Sequence, residues 1–598
     1  MWRSYTLLWS LFDRRGRSRM AGLLALMVTA ALIEAFAVAS LLPFLTSLSI
    51  PSSASLLSQS ATTATLATVR FSMVELAVLF SMAVVIAIAL KALADHSAMA
   101  FSASQCARWS RQLLLVHLNR DYDWFLGQHS ADLGYGLLER VQEVVNASLL
   151  PALRVMVNGL AAVAICVVLL RSMPAVMFLV VGGLVIAYSA VFLLMRRRFH
   201  RLGEEREAVA ALRYRLTSDV LGGIKEIKLH GLEAGYDARV RAPFERHAQL
   251  YAKRYLFSIL PRYVLEALGF VTVCVVVLLL GSGSGGLQSV LPVLGVFGFA
   301  AFRLLPAVQQ IYQNAVSLPM GRAGLDALHR DLALGDAGVP QARAPMALTR
   351  EIALKQVSYS YPGAQRAAID NVDLRIAAGS MVALVGTSGA GKSTIADFTM
   401  GLLTPSSGAL CIDGVALDHA ARRAWQAACS HVAQHVFLLD DSIAANIAFG
   451  VAPAQRDTAR IVTAARAAAL HDFIVDSLPQ GYDTPVGERG SRLSGGQRQR
   501  LGIARALYRD SACIVLDEAT NALDAGTESE VLAALEAIRG SRTIVVIAHR
   551  LATVARCDRV LLIDQGKLVA DGRYDDLLRT DSRFQGFANA GSFNHAPF

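Results

Sequence analysis

A helical membrane domain of six spans, followed by an α/β domain built round a glycine-rich phosphate-binding loop, is the fold class the sequence predicts, on three observations. The 598 residues are 54% apolar and only 17% charged, a balance that points to a membrane. The apolar residues concentrate before about position 320, in runs near 20–45, 74–95, 151–170, 174–195, 259–281 and 287–302, each close to the roughly 20 residues that cross a bilayer. Beyond about 340 the pattern changes to short β-branched runs alternating with helical ones, as in a mixed sheet carrying helices.

One of those runs, Met381-Val382-Ala383-Leu384-Val385, leads directly into Gly386-Thr387-Ser388-Gly389-Ala390-Gly391-Lys392-Ser393-Thr394. This is a strand, a glycine-rich turn and a helix start. Glycines let the backbone fold round phosphate so that several N–H groups and the helix N-terminus point at it, Lys392 reaches the outer phosphates, and the Ser393 hydroxyl ligates Mg²⁺. The implied ligand is a nucleoside triphosphate.

Six spans put both termini on one side. Arg3, Arg14, Arg15, Arg17 and Arg19 precede the first span and Arg196, Arg197 and Arg198 follow the fourth, whereas segment 46–73 holds only Arg70 and 282–290 holds no basic residue. By the positive-inside rule both ends are cytoplasmic. The net charge of +10 therefore reads as topology and attraction to anionic lipid, not nucleic-acid binding. The opening apolar run, about 25 residues long, exceeds a signal-peptide core and is kept as a span. The seven cysteines show no metal-like pairing, and reduced thiols without a disulfide are expected.

Between the spans, the serine- and threonine-rich segment 46–73 is weakly compatible with a short helix on the outer membrane face. Residues 96–150 and 196–258 have helical period and polar character, which implies two long intracellular helical hairpins. The first turns on Asp121-Tyr122-Asp123-Trp124-Phe125-Leu126-Gly127, and the second breaks at Gly222-Gly223. Their tips are candidate contacts with the nucleotide-binding domain. Gly335, Gly338, Pro340 and Pro345 end the helical pattern, giving a membrane domain over 1–340, a nucleotide-binding domain over 341–585 and a tail, 586–598, of a composition expected to be disordered.

Asp517 closes the apolar strand Cys513-Ile514-Val515-Leu516, and Glu518 follows it. A carboxylate at a strand end beside the phosphate loop holds Mg²⁺ through its waters, and the adjacent one orients or deprotonates the attacking water. Leu493-Ser494-Gly495-Gly496-Gln497, opening a run with Arg498, Arg500 and Arg505, is a second anion-type helix start. A single domain seldom needs two.

On these motifs the chain resembles an ATP-binding cassette exporter over nearly its whole length, with one membrane domain fused to one nucleotide-binding domain. The resemblance implies that Ser494, Gly495, Gly496 and Gln497 close over ATP held by a partner subunit, so that two copies pair head to tail. It implies that Tyr361 stacks on adenine, that Gln434 touches Mg²⁺ and senses the membrane domain, that His549 contacts the γ-phosphate and that Asp524 communicates across the dimer. Asn521 where serine is usual is a mild departure. The neighbours Ala433 and His435 depart at the loop of Gln434.

Lys91, Arg262, Arg303 and Glu34 lie within or near apolar stretches, as does Glu266, where a charge at the helix centre costs roughly 2.5–3.5 kcal/mol on insertion scales. Lys91 with Asp95 and Arg262 with Glu266 are spaced four apart, and Lys91 and Arg262 can also snorkel. Arg303, flanked by Phe302, Leu304 and Leu305, is the sharper case for a cavity. Lys91, Arg262 and Arg303 from two subunits would line it with basic groups suited to an anionic headgroup.

The stretches around Glu34, Arg262 and Arg303 also resemble PglK-type flippases of lipid-linked oligosaccharides, with Lys91 standing where arginine is expected, a difference that matters for bidentate recognition. That narrower resemblance implies that the chain turns a polyprenyl-pyrophosphate glycan, or a similar anionic glycolipid, to the outer leaflet of a bacterial inner membrane, and the complete set of motifs on one chain favours a homodimer. A general exporter of lipid, drug or peptide is the alternative, and an ATP-gated channel or sensor without turnover is a third reading that Glu518 disfavours.

Overall fold

The computed structural model describes residues 2–49, 73–172, 174–281, 286–335, 338, 343–520, 523–548 and 550–592, and leaves some side chains within the membrane helices undescribed, that of Arg303 among them. Its two compact units are Met1–Arg120 with Gln128–Pro340, and Asp121–Gly127 with Gln341–Phe598. The expected split at 340 thus has one exception: seven residues of the first hairpin belong to the nucleotide-binding unit.

The first unit is helical. It comprises α1 (Trp2–Ser10), α2 (Arg14–Ser49), α3 (Met73–Leu118), α5 (Ser130–Tyr135), α6 (Val141–Val144), α7 (Leu150–Ser172), α8 (Pro174–Gly222), α9 (Ile224–His230), α10 (Glu233–Gly281), α11 (Gly286–Met320) and α12 (Arg322–Ala333); α4 (Tyr122–Leu126) is the excepted segment. Single π turns, Gly136–Arg140 and Val145–Leu149, join α5, α6 and α7. The 46 residues of α3 extend about 70 Å at ~1.5 Å per residue, more than twice a hydrocarbon core of about 30 Å. An apolar half followed by a polar half, without Gly or Pro between, lets a span continue as an extension.

Among the described residues, α2, α3 and the stretch Ser130–Val168 carry windows apolar and long enough to cross a membrane. The extensions are held by small apolar seams and ion pairs. Met27 of α2, Trp109 and Leu113 of α3, and Leu325 and Leu328 of α12 are buried in one cluster. Arg140 donates to Glu207 at 2.7 Å and Asp331 at 3.2 Å, and the Tyr135 hydroxyl reaches Glu207 at 3.1 Å. Segment 50–72, where an outer helix was expected, lies outside the described residues.

The second unit holds two sheets. Strands β1 (Glu351–Tyr359), β2 (Ile369–Ala377), β4 (Ser407–Ile412) and β5 (Val415–Ala416) form an antiparallel sheet in the order β2-β1-β4-β5. The other six, β3 (Met381–Val385), β6 (Cys429–Val432), β7 (Cys513–Asp517), β8 (Thr543–Ile547), β9 (Arg559–Asp564) and β10 (Lys567–Gly572), lie in the order β10-β9-β3-β8-β7-β6, parallel except for the β10 edge. Strands β3 and β8 are buried at every residue, as continuous apolar runs in a covered parallel sheet should be.

The tail differs from expectation. Ser582–Ser592 is a helix, with Phe584 and Ala588 buried and Phe587 packed on the same core, so apolar burial orders residues whose composition reads as a tail. Residues 593–598 lie outside the described residues. The six described cysteines are free, although Cys429 and Cys513 stand directly opposite each other on β6 and β7.

Candidate functional site

Strand order creates the nucleotide site. Placing β8 between β3 and β7 brings the loop after β3 and the carboxylates ending β7 to either side of one strand's carboxyl end, where parallel sheets bind ligands. Gly386, at φ 149°, must be glycine: a Cβ there would sit 2.1 Å from the Ile563 carbonyl. Helix α13 (Lys392–Thr399) starts at the loop, so its first N–H groups face the phosphate position. The Lys392 ammonium is buried and donates to the carbonyls of Gly386 at 3.0 Å and Thr387 at 2.8 Å. Burial depresses its pKa, against the pull of Glu518 and Asp517.

Ser393 is exposed at the start of α13, and the neighbouring Thr394 hydroxyl lies 3.1 Å from the Tyr361 hydroxyl. The structure thereby brings the aromatic candidate onto the phosphate-loop helix. Gln434 and Glu518, 84 residues apart in sequence, meet: Gln434 Nε2 donates to Glu518 Oε2 at 2.8 Å. Asp517 ends β7 half-buried. A carboxylate here, like the Ser393 hydroxyl and the Gln434 amide oxygen, is a hard-oxygen donor of the kind Mg²⁺ prefers.

Ser494 caps the helix Gly495–Tyr508 in a full capping box with Gln497, leaving Gly495 and Gly496 at its first turn. Asp524 caps the next helix, Ala525–Ala537, by accepting from the Thr527 amide and hydroxyl. Those hydrogen bonds hold its carboxyl below the usual range. His549 lies outside the described residues.

Sequence reasoning marked the first hairpin tip but not its carboxylates. Asp123 of α4 accepts from the Tyr359 hydroxyl at 3.0 Å and from the Thr404 amide at 2.8 Å, and Asp121 lies 3.4 Å from His419. Tyr359 packs edge-on against both Tyr361 and Phe398 of α13. The embedded helix is thus two contacts from the aromatic candidate. Burial, followed by the charges of Asp517 and Asp123, lifts the Asp397 carboxyl of α13 to a pKa of about 6.

In the helical unit, a cavity of about 1110 Å³ lies among α7, α8 and α11, with Val163, Val167, Leu193, Leu304 and Val308 on its walls and Arg196, Arg197, His200 and Arg322 among its lining. The described Lys91 and Arg262 do not line it: Lys91 is half-buried on α3, and Arg262 is exposed and paired with Glu266 at 2.7 Å. The side chain of Arg303 is outside the described residues. Two of the arginines that do line it, Arg196 and Arg197, belong to the run read as a topology marker, whereas Arg322 opens α12. The position of Arg196 and Arg197 near the middle of α8, just after its apolar half and one turn before His200, was the available signal.

Membrane-length helices continuous with polar extensions, joined to a phosphate-loop ATPase core that carries a second anion-type helix start, define a half-transporter. The model described as ABC transporter transmembrane region matches residues 21–294, and the one described as ABC transporter matches residues 369–521. An ATP-dependent lipid A-core flippase of Cupriavidus metallidurans is 35% identical over 412 residues, 68% of this chain and 69% of its own. A protein of the same description from Ralstonia nicotianae is 36% identical, over 66% and 67% of the two chains. A solved bacterial Atm1-family ABC exporter with ATP bound superposes with a TM-score of 0.77 at 26% identity, covering 98% of this chain and all of that one.

The chain belongs to the ATP-binding cassette exporters, as a half-transporter in which ATP hydrolysis is coupled to transport. The half-transporter fold implies dimerisation and an amphipathic lipid substrate. Coupled hydrolysis displaces the gated sensor without turnover.

Proposed function

We propose that two copies of this chain form a flippase that turns an anionic glycolipid from the inner to the outer leaflet of a bacterial inner membrane, with both termini and the ATPase unit in the cytoplasm. The observation that carries this reading is the cavity among α7, α8 and α11: long apolar walls with Arg196, Arg197 and Arg322 in its lining. An amphiphile with an anionic headgroup matches that lining, because guanidinium forks bind phosphate and pyrophosphate oxygens while aliphatic side chains accept a lipid tail. Arg303, and Lys91 and Arg262 from both subunits, remain the proposed basic groups along the rest of the path.

In the ATPase unit, Tyr361 stacks on adenine, the loop Gly386 to Thr394 with Lys392 holds the phosphates, and Ser393, Asp517 and Gln434 hold Mg²⁺. The Mg²⁺ ion supplies charge neutralisation of the phosphates. Glu518 orients the attacking water, Gln434 fixes its carboxylate, and His549 meets the γ-phosphate. Ser494, Gly495, Gly496, Gln497 and Asp524 face the nucleotide of the partner.

The headgroup is a polyprenyl pyrophosphate bearing a glycan, on the resemblance around Glu34, Arg262 and Arg303. A second cargo of the same chemistry, a phosphorylated lipid A-core, is favoured by what the relatives are named for. The deciding experiment is ATPase activity of the full chain in liposomes, with either glycolipid added, for wild type and for Arg196→Ala/Arg197→Ala. Stimulation by one glycolipid that the double variant loses, with basal turnover kept, supports the reading and chooses the cargo. Indifference to both leaves a general exporter.

A further inference from the structure

Glu518 stands in a backbone conformation that its side chain disfavours. Its φ is +50°, in the left-handed region, where Cβ crowds the following carbonyl. Such strain persists only where the surroundings over-determine it, and it clusters at functional sites. At least three contacts hold this residue. Its N–H donates to the Ile547 carbonyl of β8 at 3.2 Å, its carboxylate accepts from Gln434 at 2.8 Å, and its own carbonyl accepts from Gln499 Nε2 at 3.3 Å.

The third contact comes from an unexpected element. Gln499 lies on the helix Gly495–Tyr508, one turn in from the Ser494 cap, and is only 6% exposed. A buried amide that donates across to the peptide following a catalytic carboxylate sets the direction of that peptide plane. The plane in turn sets where the side chain leaves the backbone.

We infer that Gln499 is a positioning residue for hydrolysis: its amide pins the Glu518 peptide in the left-handed turn that keeps the carboxylate beside Gln434 and the phosphate loop. The inference rests on the reading of Glu518 as the residue that orients the attacking water. Without the Gln499 amide, the Glu518 carbonyl loses one of the contacts that hold the strained turn, and relaxation of the turn becomes less costly. The carboxylate then swings away from the loop. Nucleotide binding is untouched, because Tyr361, Lys392 and the glycine loop do not depend on Gln499.

The test uses the full chain in liposomes, with E518Q as reference. Gln499→Met keeps the volume and removes the donor, so it is expected to lower kcat about tenfold, with KM for ATP within about twofold and the melting temperature unchanged. Gln499→Glu turns a carboxylate towards the Glu518 carbonyl and is expected to lower kcat further. Its deficit relative to wild type is expected to shrink as the pH falls towards about 5, where the side chain protonates and donates again.

Packing alone predicts that the Met variant matches wild type and that the Glu variant shows no recovery, and either result overturns the inference. So does a rise in KM that accounts for the whole loss. Turnover surviving in E518Q is a separate failure, because it removes Glu518 as the acting carboxylate whatever Gln499 does.

Discussion

The two hairpin tips are built oppositely. Helix α4 is polar where it matters: both oxygens of Asp123 are engaged, by the Tyr359 hydroxyl and the Thr404 amide, and the segment Asp121–Gly127 belongs to the ATPase unit. Helix α9 buries Ile227 alone and leaves Leu229 74% exposed, with Leu221, Ile224 and Leu232 exposed round it. Its end is shaped by Gly231 at φ 62°, which lets the Leu232 amide return to the Ile227 carbonyl at 3.0 Å, a left-handed cap that only glycine adopts cheaply. One tip is anchored by directional bonds within its own chain, whereas the other presents exposed apolar side chains. Two tips that look alike in sequence period therefore do different mechanical work.

Breaking the anchored tip should have the largest effect. Asp123→Ala removes both acceptors at once and leaves the Thr404 amide and the Tyr359 hydroxyl without their partner; hydrogen bonds to a charged acceptor contribute about 1.5–3 kcal/mol each. Basal ATP hydrolysis is expected to remain within about threefold of wild type, while stimulation by transported lipid falls about tenfold or more. Parallel loss of basal and stimulated turnover in liposomes would show that Asp123 serves the folding of the ATPase unit instead.

The apolar tip should respond to a charge. The half-transporter fold implies a second copy, and a cluster of four exposed apolar side chains is the surface such a copy would cover. Leu229→Asp is expected to weaken dimerisation of the detergent-solubilised chain roughly five- to tenfold, the scale of losing one good interface contact. Its melting temperature should stay nearly unchanged, because Leu229 is 74% exposed. An unaltered dimer affinity would place the tip in solvent.

What was legible in the sequence follows the same division. The phosphate loop is readable because each position answers a backbone demand: Gly386 has no room for a Cβ, and Lys392 must open the helix. Gln434 and Glu518, distant in sequence, were each readable as site residues from their own motifs, but their 2.8 Å contact was not. The contacts of Asp123 with Tyr359 and Thr404, and of Gln499 with the Glu518 carbonyl, were not readable, because they are set by tertiary register. Arg196 and Arg197 were readable as topology markers, but their place in the cavity lining was not, because it depends on the rotational phase of α7 and α11 against α8. The tail helix was missed because Phe584 and Phe587 are too few to make a pattern, yet enough to bury.

Two smaller changes sharpen the contrast. Tyr359→Phe keeps the ring that packs edge-on against Tyr361 and Phe398 and removes only the hydroxyl bonded to Asp123. One of the two bonds to Asp123 survives, so stimulated turnover is expected to fall by about two- to fourfold, less than in Asp123→Ala, and combining the two changes should add nothing further. Additive losses would mean that Tyr359 acts through Tyr361 and the nucleotide, not through α4.

At the other tip, Lys228 and Glu233 form a 3.0 Å pair with both side chains largely exposed, where solvent screening and side-chain entropy cancel most of the attraction. Glu233→Gln is expected to leave turnover, transport and melting temperature unchanged. A measurable loss in any of them would mean that α9 is held by charge, and the two tips would then differ in their partners but not in the physics that fixes them.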